Sequence, residues 1–386
     1  MNTTFGGNSI EGFRMRVGGM TTANLNEHIY GSGYLAYGTK DGKFKYNATG
    51  IYSFNKKRYH SGEYMRNRIM LSHEYDLYTP GQNFMFTSKD NVVLAIKVGM
   101  PITKYSYMRK TSLVYEKEWN NGLSIKTWAQ HLNDEPTGTL KYEWLDSNNK
   151  LISEKSLTTV ETGAQIRFAP GERPYDGRTG KGSVFNLSKD APVFMLSHQV
   201  GLKGVLGGAY NYNHTEMSAE KRVWLSSFGH IDAKVKAGKI WDKVPFPLLI
   251  LPNANQSLIL QSEAFHLMNA LEFVSDEYVS WDVTYFMKGL ILNRVPLIKY
   301  LKLREVVSFH GIYGKLTDKN NPSISPGLFI LPEGTQPLGN TPYMECSVGL
   351  ENIFKVVRID YFRRLSYLDV PGIKKHGVRI SMKFSF

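Results

Sequence analysis

Apolar and polar residues alternate along most of this chain with a period of two. Over the last nine residues, Val378, Ile380, Met382, Phe384 and Phe386 alternate with Arg379, Ser381, Lys383 and Ser385. Side chains of a strand project to opposite faces in turn, so such a run predicts a strand with one apolar and one polar face. The pattern recurs: Phe13, Met15 and Val17 stand against Arg14 and Arg16, and Ile231, Ala233 and Val235 against Asp232, Lys234 and Lys236. Val279, Trp281 and Val283 stand against Ser280, Asp282 and Thr284, and Ile359 and Tyr361 against Arg358 and Asp360. The polar face carries charge, while the apolar face is dense in Tyr, Trp, Phe and Val. Strands that cross a bilayer in a closed barrel have this two-sided character.

The alternation predicts strands near 9–19, 27–38, 43–54, 64–76, 104–117, 121–133, 158–169, 191–203, 217–228, 230–240, 257–264, 278–290, 303–315, 342–350, 354–367 and 374–386. The weakest is 257–264, and parity asks for a strand within 81–100, where Asn91–Ile96 would serve. Closed barrels usually take even strand numbers, so sixteen is expected and fourteen is the alternative. Short amphipathic helices are expected in two connections, 262–272 and 296–302. Lys40-Asp41-Gly42, Asn120-Asn121-Gly122 and Phe228-Gly229-His230 read as tight turns. If Phe386 ends at a periplasmic rim, 205–216, 241–277 and 317–341 are extracellular. No fixed repeat or Pro-rich linker divides 1–386, which reads as a single all-β barrel domain.

Composition changes this picture little. No apolar run approaches the 18 residues of a spanning helix. The formal net charge of +13 fits a solvated basic surface, a basic lumen or contact with anionic lipid head groups. The basic residues are dispersed without a basic helix or RNA-binding motif, so nucleic acid is not an expected partner. Cys346 is the only cysteine, which excludes an internal disulfide and a cysteine metal cluster. Met1-Asn2-Thr3-Thr4-Phe5 offers no leader, so sequence upstream of an exported barrel is expected to be missing here.

The search for chemistry finds no enzyme. No His pairs at i, i+4 around a Glu, and no G-x-S-x-G elbow occurs. Gly177-Arg178-Thr179-Gly180-Lys181-Gly182-Ser183 lacks the spacing of a phosphate loop and reads as a basic loop. His73, Glu74 and Asp76 read as a polar strand end, and His198 and His310 as lumen hydrogen-bonders. No cofactor or metal is expected. What the pattern offers is electrostatic: Arg14, Arg16, Lys234, Lys236, Arg358, Arg379 and Lys383 on the polar face, with Asp360 among their partners. Such charges either cancel and plug the bore or line an anion path. Gly12, Gly18 and Gly19 weaken the first strand beside Phe13. A lateral seam is therefore expected between it and the last strand, at Val378, Ile380, Phe384 and Phe386.

Several runs carry a likeness. Asn340-Thr341-Pro342-Tyr343-Met344-Glu345-Cys346-Ser347-Val348-Gly349-Leu350-Glu351-Asn352-Ile353-Phe354-Lys355, followed by Arg358-Ile359-Asp360 and Arg364-Leu365-Ser366-Tyr367, resembles the last three strands of BamA-type outer-membrane barrels. Ile10–Gly19, Gly33–Gly38, Leu271–Asp276 and Arg304–Gly311 are similar to the C-terminal barrel of a Bacteroidota outer-membrane family with an N-terminal carboxypeptidase-regulatory-like domain. The resemblance implies a sixteen-strand barrel in the bacterial outer membrane that takes part in assembly, insertion or translocation of proteins. The alternative is a structural partner or passive anion-preferring pore in a larger complex. Its implied partners are outer-membrane lipid, lipopolysaccharide and other outer-membrane or periplasmic proteins. The superfamily locks its sixth extracellular loop into the lumen with an Arg-Gly pair. Region 241–277 has no Arg, so that lock is not expected here.

Overall fold

The computed structural model describes residues 5–22, 24–56, 65–80, 102–146, 148–177, 184–187, 189–261 and 263–382. One antiparallel sheet of sixteen strands makes a β-barrel fold, each strand pairing with the next in sequence. Its strands are β1 (Phe5–Asn8), β2 (Gly12–Met20), β3 (Ile29–Gly38), β4 (Phe44–Ser53), β5 (Asn67–Tyr78), β6 (Lys104–Glu118), β7 (Leu123–Gly138) and β8 (Leu157–Phe168). There follow β9 (Val193–Gly201), β10 (Tyr212–Trp224), β11 (His230–Ile240), β12 (Glu277–Phe286), β13 (Arg304–Lys315), β14 (Tyr343–Ile353), β15 (Val357–Arg364) and β16 (His376–Met382). No α-helix occurs among the described residues.

The count of sixteen holds, but one strand is not where the alternation puts it. Residues 257–264 are absent from the wall, and Phe5–Asn8 supplies the sixteenth strand by pairing with β2 from Phe5↔Met15 to Asn8↔Gly12. Asn91–Ile96 lies outside the described residues, and β5 pairs directly with β6 without a strand between them. The connection at 296–302 forms one 3-10 turn, Ile298–Leu301. Around 263–272 the chain makes turns and isolated bridges instead of a helix.

Burial is inverted relative to a water-soluble sheet. Outward-facing Val17, Leu71, Met217, Val348 and Tyr361 are exposed, whereas inward-facing Lys45, Glu161, Glu345, Asp360, Arg364 and Arg379 are buried. Cys346 faces outward with Val348, half-buried. At Gly163↔Trp128, Gly201↔Tyr212, Gly238↔Tyr278 and Gly311↔Trp281 a glycine lies directly opposite an aromatic residue whose ring covers it. Each ring lies across its glycine, where a Cβ would come within 2.2–2.5 Å of ring carbon. This fills the gap that a glycine leaves in a pleated surface.

The two ends differ. One has short turns at 119–122, 225–229 and 354–356, and Gly229 is obligatory in its turn, since a Cβ there would lie 1.9 Å from the Phe286 carbonyl oxygen. The other end carries 139–156, 241–276 and 316–342. Tyr142, Phe246, Leu271, Leu316 and Phe329 from these connections form one buried apolar cluster. Below it, 254–268 descends into the interior.

Candidate functional site

Wall residues around that interior segment are charged, and burying a charge is costly unless it is paired. Their partners come from the loop. Arg364 on β15 holds Glu272 bidentately (Nη2–Oε1 2.6 Å, Nη1–Oε2 3.1 Å), with side chains 0 % and 2 % exposed. Arg364 also donates Nε to the Ser366 carbonyl (3.0 Å) and Nη2 to that of Tyr367 (3.1 Å), and its guanidinium lies 4.7 Å over the Tyr343 ring. Its fork is thus largely satisfied, the condition under which a buried ion pair is tolerated.

Glu345 on β14 performs the same service for loop backbone. Oε1 accepts from the amide of His266 (2.7 Å), and Oε2 from the amide of Leu267 (3.0 Å) and the Tyr343 hydroxyl (3.0 Å). The His266 ring stacks on Phe362, centroids 4.2 Å apart, and places Nδ1 3.3 Å from Glu345. Burial holds the His266 ring below its ordinary pKa even with that carboxylate beside it. Lys234 and Lys236 on β11 both donate to Glu263. Burial raises the Glu263 carboxyl, but the two lysines outweigh it and leave it below the usual carboxylate range.

The loop is therefore held inside without an arginine of its own, by contacts other than the arginine-borne lock that 241–277 lacks. The polarity of the lock is reversed: the wall supplies Arg364 and Arg379, and the loop supplies Glu272 and Glu263 or backbone carbonyls. Sequence gives no pointer to this pairing, because Glu272 and Arg364 are 92 residues apart. Only the inward parity of Arg364 with Asp360 was readable.

Each expected lumen charge among the described residues has a defined place. Arg14 contacts Asp76 (2.7 and 2.9 Å) and Glu11 (3.2 Å), and Arg16 stacks on Tyr34 at 3.6 Å. Arg358 holds Asp360 through two 2.7 Å bonds. Arg379 reaches the His266 carbonyl and, at 3.4 Å, that of Asn255. Lys383, Phe384 and Phe386 lie outside the described residues, as do 178–183 of the glycine-rich loop. His310 bonds Asp282 inside (3.1 Å). His198 instead sits on the exposed parity beside Phe194 and Leu196 and bonds Thr215 (2.9 Å), so it is not a lumen residue. His73 bonds Tyr46 (3.1 Å) and Thr111 (2.8 Å), while Asp76 serves Arg14. No group of three or more potential metal ligands occurs among the described residues.

The first-strand half of the expected seam is displaced by one strand. Gly12 and Phe13 pair with β1, so they are not at the edge. Gly18 and Gly19 pair with β3, beyond the reach of Phe5–Asn8. Val378 and Ile380 are on β16, the last strand, paired on one side with Tyr361 and Ile359. On its other side β16 meets the interior loop: the Leu260 amide donates to the Ile380 carbonyl (2.7 Å), and the Ile380 amide to the Leu258 carbonyl (2.9 Å). These make a parallel bridge between Ile259 and Ile380. Of the segment expected as a wall strand at 257–264, residues 258–260 are thus an inner strand fragment on the sheet's last edge.

Comparison with known proteins places the fold. The profile of a family of unknown function, the DUF5686 C-terminal domain, matches residues 81–321. No curated protein matches the chain. Among solved structures, BamA from Haemophilus ducreyi lacking POTRA domains 1–3 is 10 % identical with a TM-score of 0.53, over 98 % of this chain and 69 % of that one. CdiB from Acinetobacter baumannii is 11 % identical (TM-score 0.45), over 97 % of this chain and 57 %, just over half, of its own. OccK11 (OpdR) from Pseudomonas aeruginosa is 10 % identical with a TM-score of 0.31, over 96 % of this chain and 89 % of that one. The likeness to BamA is one of fold.

Proposed function

We propose, for a chain that belongs to the DUF5686 family through its C-terminal domain, a non-enzymatic role in assembly, insertion or translocation of proteins at the bacterial outer membrane. On this reading the short-turn end faces the periplasm and the long connections face outward, as barrels of this class arrange them. The exposed apolar face meets lipid and lipopolysaccharide. The narrower likeness, to the Bacteroidota barrels with an N-terminal carboxypeptidase-regulatory-like domain, belongs to the same proposal.

One observation carries it. Residues 254–261 and 263–272 lie buried inside the wall, tied to β14, β15 and β16 through Glu345, Arg364 and Arg379. A barrel whose interior holds its own connection in this way does its work at the wall, not along the axis. The same observation weighs against the pore, because Lys234 and Lys236 spend their charge on Glu263. Depleting the protein and weighing outer-membrane fractions by quantitative mass spectrometry tests this. A fall in a defined set of surface or barrel proteins is expected, together with a silent protein in planar bilayers. An unchanged outer-membrane proteome with steady anion-selective conductance would overturn the reading in favour of the pore.

A further inference from the structure

The contact between 257–261 and β16 is built with more care than a passing touch. Backbone groups along a strand point alternately to its two sides. On β16 the groups of Ile380 point away from β15, since both are taken by Leu258 and Leu260. Val378 is two residues earlier and shares that side. Its carbonyl accepts from Arg379 Nη1 (2.9 Å). Three of the groups with which the last strand would accept another strand, the Ile380 amide and carbonyl and the Val378 carbonyl, are therefore held by this chain itself.

The opposite side of the covering segment is finished off as well. The Ile259 amide donates to Ser257 Oγ (3.2 Å), and its carbonyl accepts from Asn255 Nδ2 (2.7 Å). Asn255 Oδ1 also accepts the Ser257 amide (2.8 Å). Side chains of the segment thus saturate its outer edge, and the pairing cannot propagate to a further strand. Exposed edges attract foreign strands, and proteins that keep them cover them. Here the cover is a single parallel bridge, the weaker of the two pairing modes, supported by side chains instead of a ladder.

We propose that the free edge of β16 is a strand-docking surface, that residues 257–261 are its built-in cap, and that its occupant in use is an extended segment of another polypeptide, docked in place of the cap. Main-chain hydrogen bonds give such docking its affinity, and alternate side chains its specificity. The inference deepens the proposed role in handling proteins and rests on it for the identity of the occupant.

The test uses the full-length protein in detergent with Cys346→Ser, carrying Ile259→Cys and Ile380→Cys so that oxidation fastens the cap. The probe is a fluorescent synthetic peptide of residues 254–264, the cap's own sequence. Fluorescence anisotropy should show the reduced protein binding it and the oxidised protein not. A second variant, Asn255→Ala with Ser257→Ala, removes the bonds that shape the cap and should bind about tenfold more tightly than the parent. Equal binding by the oxidised and reduced forms, or no binding by any form, overturns the proposal. The two readings fail separately: peptide capture with an unchanged outer-membrane proteome after depletion sinks the role in assembly and leaves the cap. An altered proteome without capture does the reverse.

Discussion

The interior has two walls that solve the same problem differently. Near the N-terminus the buried charges satisfy one another within the wall. Lys45, with a fully buried side chain, lies 2.9 Å from Glu11 and 2.5 Å from Asp41, and the Tyr107 hydroxyl also donates to Asp41 (2.7 Å). Arg14 closes on Asp76. All of these residues sit on β2, β4, β5 and β6 or in the turns beside β2 and β4. Around β11 and β14 to β16, by contrast, Lys234, Lys236, Glu345, Arg364 and Arg379 look inward to partners on one long connection. The first wall is electrostatically complete; the second is complete only with the loop in place. The difference teaches that this connection, through 263–272, completes the charge pairing of the wall and is not a passenger inside it.

The contrast can be broken most severely at Arg364. Arg364→Ala leaves Glu272 buried without its partner and is expected to cost about 3–5 kcal/mol, read as a lower urea midpoint in detergent. A loss under about 1 kcal/mol would show that the loop lock contributes little. Glu345→Ala strips acceptors from two buried amides and should cost about 2–3 kcal/mol while opening 254–268 to limited proteolysis. If proteolysis is unchanged, Glu345 is not the loop's anchor. Arg14→Ala tests the self-contained wall. Its pair with Asp76 is partly exposed, and Glu11 retains Lys45, so the expected cost is about 1 kcal/mol with no change at the loop.

Acidification should separate the walls further. The folded values of His266 and Glu263 lie below their ordinary ones. A depressed value means that the unfolded chain binds more protons, so the stabilisation is present above the ordinary pKa and is lost as pH falls. Release of the loop should begin below about pH 6.5 through His266 and grow below about pH 4.5 through Glu263. Amide exchange at 254–268 that is flat across that range would contradict the sign. The smallest effect is expected from Cys346→Ser, outward-facing and half-buried, at under about 0.5 kcal/mol.

The two walls also differ in how far the sequence reveals them. Strict alternation at Arg14, Arg358 and Asp360 places those residues inside, because a period of two leaves no other face. It also locates fifteen of the wall strands. It fails at 257–264, where an apolar run next to turn residues pairs with one strand edge inside instead of joining the wall. Phe5–Asn8 is too short and too rich in glycine to announce itself by alternation. The loop lock was illegible for a different reason. Periodicity tells which face a residue takes, but a contact between a wall and a connection 92 residues away depends on how the chain folds back, and no local spacing encodes it. In this pair the arginine stands on the wall, at Arg364, and the connection brings the carboxylate.

The rings that lie over Gly163, Gly201, Gly238 and Gly311 make each glycine and its partner a unit on which substitution acts jointly. A larger residue at any of these four positions meets the ring opposite, so neither partner drifts alone. Among natural relatives, loss of the glycine should arrive with loss of Trp128, Tyr212, Tyr278 or Trp281, and the paired substitutions should mark out neighbouring strands without any structure in hand.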